Sequence, residues 1–438
     1  MTTTHPSFGW HRTEHPLTTD KDISSEDFWR KSFDERDETF AWLRKHAPVS
    51  WHAPKEAPEL PDDAKFEAGA WAVVKNETIR YVSENNELFS SDRDKWGDTK
   101  WRPMDPAATM RGSATFLELD PPDHTRYRQL MSKAFTPKAV ARLSEKIEER
   151  AAAIVDRVVG MGEFNFVTEV SARLPMLTVA DMIGIPESQV EAFAHAGEIL
   201  EAANDPDFFV EGKTPNEVRM EASMALAQIG SELIEYRRKN PADDIATALA
   251  LGETPDGRAF DLGDILPVFG LLSVAGNDTT KQTTTHTLYN LWNNPDQRAW
   301  LEEDFEGRIR IATEEFIRHA SPVIDFARTA TQDLELEGQQ IAQGDMVVMF
   351  YCSGNRDEDV FEDPHAFNLQ RFANGPATHV GFGGGGVHYC LGNAVAKAQL
   401  KAVYRNVLGK LGHMEILGEP DPLFNEFING VKTLPVRA

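Results

Sequence analysis

Gly381-Phe382-Gly383-Gly384-Gly385-Gly386-Val387-His388-Tyr389-Cys390-Leu391-Gly392 is the stretch on which the reading of this chain turns. Its glycines carry no Cβ, so the backbone can turn tightly and approach something large and flat. The residues that follow, to about Leu411, read as one helix. Cys390 therefore stands where a glycine loop meets a helix N-terminus, and the helix dipole and nearby amides both favour a thiolate there. Other readings compete. By letter, Gly381-x-Gly383-x-x-Gly386 matches the dinucleotide fingerprint. That motif needs an acidic residue about 20 positions on, and the first acid after Gly386 is Glu415. No Gly-Lys-Ser/Thr follows, so it is not a Walker loop. His388 and Cys390 are too close to build a zinc site alone, and Cys352 has no paired spacing. A buried structural cysteine stays open, although its neighbours are glycines and a histidine.

A thiolate held by amides and facing open space also suits a haem iron with an axial cysteine. The rest of the chain leaves room for such a group. It has 438 residues, 41% of them hydrophobic and 26% charged, as in an ordinary globular protein with a large core. A formal net charge of -25 argues against nucleic acid and against an anionic membrane as partners. Two cysteines allow no disulfide framework and fit a reducing compartment. The start, Met1-Thr2-Thr3-Thr4-His5-Pro6, has no signal-peptide character, and no apolar run approaches the ~18 residues of a membrane span. The cytoplasm is the expected location.

Taken in order, Asp34 to His46 reads as a helix. Val49-Ser50-Trp51 and Trp71-Ala72-Val73-Val74 read as strands of a hairpin. Trp96 to Phe116 is a long loop. The prolyl turn Asp120-Pro121-Pro122 launches a helix with His124 and Arg128 one turn apart, two cationic donors suited to a carboxylate or simply to an exposed face. Thr136-Pro137 is a helix start, and further helices run to Lys239. A central helix is expected from near Asp261 to about Asn293. Its first half is apolar all round, as in a buried helix. Then Ala275-Gly276-Asn277-Asp278-Thr279-Thr280 brings an acid and hydroxyls into the core, which is costly unless they are used or satisfied. Glu315 and Arg318 are spaced to pair on another helix. Strand-like alternation marks Val323 to Leu336 and Met346 to Phe350.

Together these stretches resemble the bacterial cytochrome P-450 family of haem-thiolate monooxygenases. The likeness covers roughly Thr39 to the C-terminus and rests on four motifs in the right order. The resemblance implies a mainly α fold with small β-sheets, a long central helix crossing the haem, and a single domain over residues 1–438 with an N-terminal β-containing part and a larger α-rich part. It implies haem b (iron protoporphyrin IX), with Cys390 as axial ligand, Phe382 and Gly392 framing it, and His124, Arg128, Arg328 and His388 at the propionates. Asp278 and Thr279 take the places of the oxygen-activating acid and alcohol. Glu315, Arg318 and Arg371 match the buried Glu-x-x-Arg network. The loop departs from the commoner Phe-Gly-x-Gly-x-His-x-Cys by one extra glycine. The longer loop also occurs in actinobacterial members that oxidise sterol side chains and methyl-branched lipids.

On that resemblance the chain inserts one oxygen atom of dioxygen into a C–H bond of a steroid, branched lipid or terpenoid. The expected pocket is lined by Phe116, Phe269, Leu272, Ser273, Ala275, Val323, Ile324, Phe326, Phe427 and Ile428; ordinary core is the alternative for each. No flavin or iron–sulfur module fits in the chain, so electrons come from a ferredoxin and its ferredoxin reductase. Lys397, Lys401, Arg405 and Lys410, with no acid before Glu415, form a basic helix that an acidic ferredoxin would seek. A haem-based sensor or a peroxide-driven hydroxylase of the same fold is the alternative, and the Asp278–Thr279 pair disfavours both.

Overall fold

The structure, a computed structural model, describes residues 2–4, 11–56, 69–96, 101, 115–202, 205–254 and 257–438. Most of the expected loop from Trp96 to Phe116 lies outside the described residues. Contacts group the chain into two compact units. One comprises Met1–Arg126, Val323–Pro364 and Thr378–Tyr389; the other comprises Tyr127–Pro322, His365–Ala377 and Cys390–Ala438.

The first unit carries α1 (Phe33–His46), β1 (Val49–His52), β2 (Ala70–Val73), α2 (Asn76–Glu84), β3 (Phe89–Ser90), β4 (Asp325–Ala330) and β5 (Met346–Phe350). Ser32 and Glu35 close a reciprocal capping box at the start of α1. The strands form one sheet in the order β1-β2-β5-β4-β3. β1 and β2 pair antiparallel, as the sequence predicts, with Trp51 opposite Trp71. β5 lies parallel to β2 and antiparallel to β4. Every residue of β5 is buried, so Met346-Val347-Val348-Met349-Phe350 is an unbroken apolar run and not the alternation expected from the sequence, as suits a strand covered on both faces. Trp51, Trp71, Val82, Phe89, Val347 and Met349 form its core.

Helix α3 (Asp123–Ser132) follows the prolyl turn. The second unit is mostly helical: α4 (Pro137–Val158), α5 (Arg173–Ile183), α6 (Val190–Ala202), α7 (Pro215–Lys239), α8 (Leu262–Ala275), α9 (Asp278–Asn293), α10 (Phe305–Ala320) and α11 (Asn393–Leu411). A hairpin of β6 (Asp421–Leu423) and β7 (Gly430–Thr433) lies near its end. The Thr136 hydroxyl accepts from the Ala139 N–H at 3.3 Å, the cap that Thr-Pro predicts. Ile147, Ala151, Ile154, Val155 and Val158 are the buried stripe of α4.

The expected central helix is not continuous. It is two helices, α8 and α9, broken at Gly276-Asn277. A Cβ on Gly276 would lie 2.4 Å from Val179 Cγ2 of α5, so close packing requires glycine there. The Ala275 carbonyl then accepts the Thr279 hydroxyl at 2.9 Å, and a side-chain bond of this kind bends or interrupts a helix. Beyond the break, threonines line the buried face of α9. Thr283 and Thr284 each donate to the carbonyl four residues back at 2.8 Å, and Thr285 donates to Ser171 Oγ at 2.9 Å. Bonds of this kind satisfy several of the buried hydroxyls of this polar segment, while Thr287 Oγ1 is buried with no hydrogen-bond partner among the described residues.

Candidate active site

In the first unit, the four glycines of the loop all hold positive φ: 99°, 74°, 126° and 68° from Gly383 to Gly386. Side chains rarely adopt that region, so a consecutive run of glycines is a backbone requirement. The loop rests on the end of α2. Ser83 Oγ donates to the Gly383 carbonyl at 2.7 Å, and a Cβ on Gly386 would lie 1.9 Å from the Ser83 carbonyl oxygen. Phe382 is half-buried between His379 and Tyr389, with ring centroids at 5.8 and 6.0 Å.

The same unit brings His124 and His388 together, ring centroids 4.3 Å apart. Phe116 is buried beside His124 at 6.4 Å. Arg328, on β4, is buried and donates to the Ala327 carbonyl at 2.8 Å. Among the described residues no carboxylate lies within ion-pair distance of it. Burial pushes the Arg328 guanidinium below its usual range, opposed by Tyr351 and Asp120. A buried cation lacking a close counter-ion is costly, so an anion belongs beside it. Ile324 is fully buried, while Val323 and Phe326 are half-buried.

In the second unit, Cys390 precedes α11, whose N-cap is Gly392 with no side-chain cap. The N–H groups of Gly392 and Asn393 point at its sulfur, and the Asn393 side chain donates to the Cys390 carbonyl at 2.8 Å. Cys390 keeps some exposed surface, yet the protein packed around it pushes the thiol up. The two N–H groups and the Arg128 guanidinium pull it down. These amides are the ones the sequence reading placed there, and the Arg128 charge acts on the sulfur beside them.

At the break between α8 and α9, Ala275 is exposed, Leu272 and Thr279 half-buried, and Asp278 buried. Phe269 is fully buried against Gly230 of α7, and Ser273 against Gly197 of α6 with its hydroxyl bonded to the Gly270 carbonyl at 2.8 Å. Those two face neighbouring helices rather than open space. Phe427 is half-buried and Ile428 buried in the turn between β6 and β7. Asp278 pairs with Lys281 at 2.6 Å, and Lys281 also reaches Glu198 of α6 at 2.9 Å. The sequence reading missed Lys281 and Glu198. The i, i+3 spacing of Asp278 and Lys281 was the available signal for the first; nothing local pointed to the second.

Glu315 and Arg318, both fully buried, form a bidentate pair with two bonds of 2.7 Å. Arg371 reaches the same carboxylate at 3.2 Å, and the Asn368 N–H donates to it at 2.9 Å. This is an internal network, unlike a solvated helix pair. The basic face of α11 differs from the sequence reading. Lys397 pairs with Glu314 at 2.7 Å, Lys401 with Glu306 at 3.0 Å, Arg405 with Glu306 and Glu148, and Lys410 with Asp156 at 2.6 Å. Acids from other helices neutralise what the local sequence shows as unopposed positive charge.

The Cytochrome P450 family model matches residues 213–430. A methyl-branched lipid omega-hydroxylase of Mycobacterium tuberculosis is 36% identical over 95% of this chain and 94% of its own length. The chain belongs to the cytochrome P450 family. A steroid C26-monooxygenase of Mycolicibacterium smegmatis is 33% identical over 90% of this chain and 88% of its own. A Mycobacterium marinum cytochrome P450 solved in complex with pseudoionone superposes with a TM-score of 0.90 at 41% identity, covering 97% of this chain and 100% of that one. The protein is thus a P450 monooxygenase, mainly helical with small sheets, of a family that uses haem. The residues present fit that group. A half-exposed thiol receives two backbone N–H groups at a helix start, and a buried arginine with no carboxylate at ion-pair distance among the described residues stands in the same unit as two adjacent imidazoles. Among the described residues, no helix is long and apolar enough to cross a membrane.

Proposed function

We propose that this P450 binds haem b through Cys390 and hydroxylates a C–H bond of a hydrophobic substrate, a steroid, branched lipid or terpenoid, with electrons from a ferredoxin. The observation that carries the reading is the acid–alcohol pair Asp278–Thr279 at a break in a buried helix, beside exposed Ala275. A bare helix break would not need a buried carboxylate. Haem with a thiolate ligand supplies dioxygen activation, the thiolate favouring O–O cleavage. The protein's residues do the rest. His124, Arg128, Arg328 and His388 would bind the propionates, matching cationic donors to carboxylates. Thr279 Oγ1 donates its hydrogen bond to the Ala275 carbonyl, which leaves its lone pairs to accept a hydrogen bond from a water. Asp278 Oδ is the group that would hand protons on from solvent. Leu272, Ala275 and Phe427 offer apolar contact, so few polar anchors would orient the substrate.

The substrate class rests on the names of the relatives. It is tested by titrating the ferric protein with steroids, methyl-branched fatty acids and terpenoids and following the haem absorption shift. Saturable shifts with one of these classes are expected. Shifts only with small polar ligands would refute it. For the electron donor, Lys133 and Lys138 are exposed and form no ion pair among the described residues, unlike the cations of α11. They follow Arg128, whose charge acts on Cys390. An acidic ferredoxin would be steered there, so K133E and K138E should slow reduction more than K397E.

A further inference from the structure

Lys281 is out of place by every local rule. It lies in the first turn of α9, where the helix dipole disfavours a cation. It is almost wholly buried, and burial alone would push its ammonium down; Asp278 and Glu198 outweigh that and hold it above the usual lysine range. Buried ion pairs are poor devices for stability, because well-packed apolar residues serve as well or better. Its Nζ forms an ion pair with Asp278 Oδ1 at 2.6 Å and donates a hydrogen bond to Glu198 Oε1 at 2.9 Å. Asp278 is buried, whereas the Glu198 side chain is 38% exposed. One ammonium thus joins a buried carboxylate at the helix break to a carboxylate at the surface of α6.

Among the described residues, many other charges on the elements packed against α9 are engaged elsewhere, and Arg310 and Asp296 are not among those that act on Lys281. Arg173 pairs with Glu169 and Asp181 with Lys146 and Arg150. Lys432 pairs with Asp205, and Glu315 with Arg318. On the adjoining helices, Arg298 pairs with Glu302 and Lys397 with Glu314. The charges acting on Lys281 are Asp278 and Glu198.

We propose that Lys281 is a positioning residue that holds the Asp278 carboxylate ionised and in place at the helix break, and that Glu198 couples this arrangement to helix α6. The inference rests on the oxygen-inserting reading above for its consequence in catalysis, but the electrostatic role stands without it. Removing the ammonium leaves a buried carboxylate whose pKa rises by desolvation. A carboxylate whose folded pKa exceeds its unfolded value keeps its stability contribution at low pH and loses it as pH rises.

The first test compares thermal midpoints of wild-type holoenzyme, K281M and K281M/D278N between about pH 5.5 and pH 8, a window above the ordinary aspartate pKa. The gap between wild type and K281M is expected to widen as pH rises, and the double variant is expected to lose that widening. A gap independent of pH would mean that Lys281 only fills space, and would overturn the proposal. The second test uses E198Q, which alters a partly exposed side chain. Substrate affinity and the ferrous carbon monoxide spectrum should stay as in wild type, while a larger share of electrons ends as hydrogen peroxide. An unchanged peroxide share would refute the coupling to α6. If wild type itself formed no hydroxylated product from any substrate offered, the functional reading would fall while the thermal test still decided the role of Lys281.

Discussion

Gly386→Ala separates the two demands that the glycine loop places on its backbone. The first is conformational: at φ 68°, an alanine sits in the left-handed region, at a cost of about 1–2 kcal/mol. The second is steric. The new Cβ would meet the Ser83 carbonyl oxygen at 1.9 Å, its carbon at 2.8 Å and Glu84 Cα at 3.2 Å. These are backbone atoms at the end of α2, so no side chain can swing away. Relief requires the loop or the helix to move, and overpacking of this kind costs about 1–3 kcal/mol more. Gly384→Ala is the control. It has a similar φ of 74°, but its Cβ would meet only ordinary contacts at 3.5 Å to Ile79, Ser83 and Val380. Chemical denaturation of the holoenzyme should therefore show G384A destabilised by about 1–2 kcal/mol and G386A by about 2–5 kcal/mol. G386A should also release haem faster. Equal destabilisation of the two variants would refute the claim that the loop is seated on α2 by contact at Gly386.

Three further outcomes are expected. Glu315→Ala removes the carboxylate that both Arg318 and Arg371 address, and breaking a buried pair this way should cost about 3–5 kcal/mol in denaturation; a loss below about 1 kcal/mol, typical of an exposed pair, would contradict the buried network. Thr279→Ala should leave reduction of the protein intact but divert electrons to hydrogen peroxide; an unchanged product yield per electron would remove Thr279 from the proposed proton path. His52 is buried on β1 and, mainly by desolvation, pushed down to about 4, with Asp22 and a Lys21 backbone bond opposing. Its folded pKa lies below the unfolded value, so its contribution is present above about pH 6.5 and fades as pH falls towards 4, on the order of 3 kcal/mol in all. His52→Gln should flatten that part of the stability–pH curve, and an unaltered slope would assign the acid sensitivity elsewhere.

What the sequence made legible was local. The Thr136-Pro137 start, the strand Met346–Phe350 and the loop-to-helix junction at Cys390 depend on neighbours a few residues away. The i, i+3 pair Glu315–Arg318 could be drawn from spacing, and its burial followed from the family resemblance. What stayed hidden depends on distant packing. The need for glycine at the break after Ala275 comes from Val179 of α5, nearly a hundred residues away in the chain. Lys281 finds Glu198 on another helix. The face of α11 looks basic because its acids, Glu148, Asp156, Glu306 and Glu314, come from other helices. The extra glycine of the loop gains a physical account: four consecutive residues at positive φ lie against α2, and each of those positions favours glycine.

The central claim is that Cys390 presents a thiolate to haem iron. The absorption spectrum of the reduced, carbon monoxide-bound protein tests it most directly. The wild type should show the red-shifted band that gives the family its name, and Cys390→Ser should lose it while Cys352→Ser keeps it. A wild type without that band, or a Cys390→Ser variant that retains it, would contradict the account.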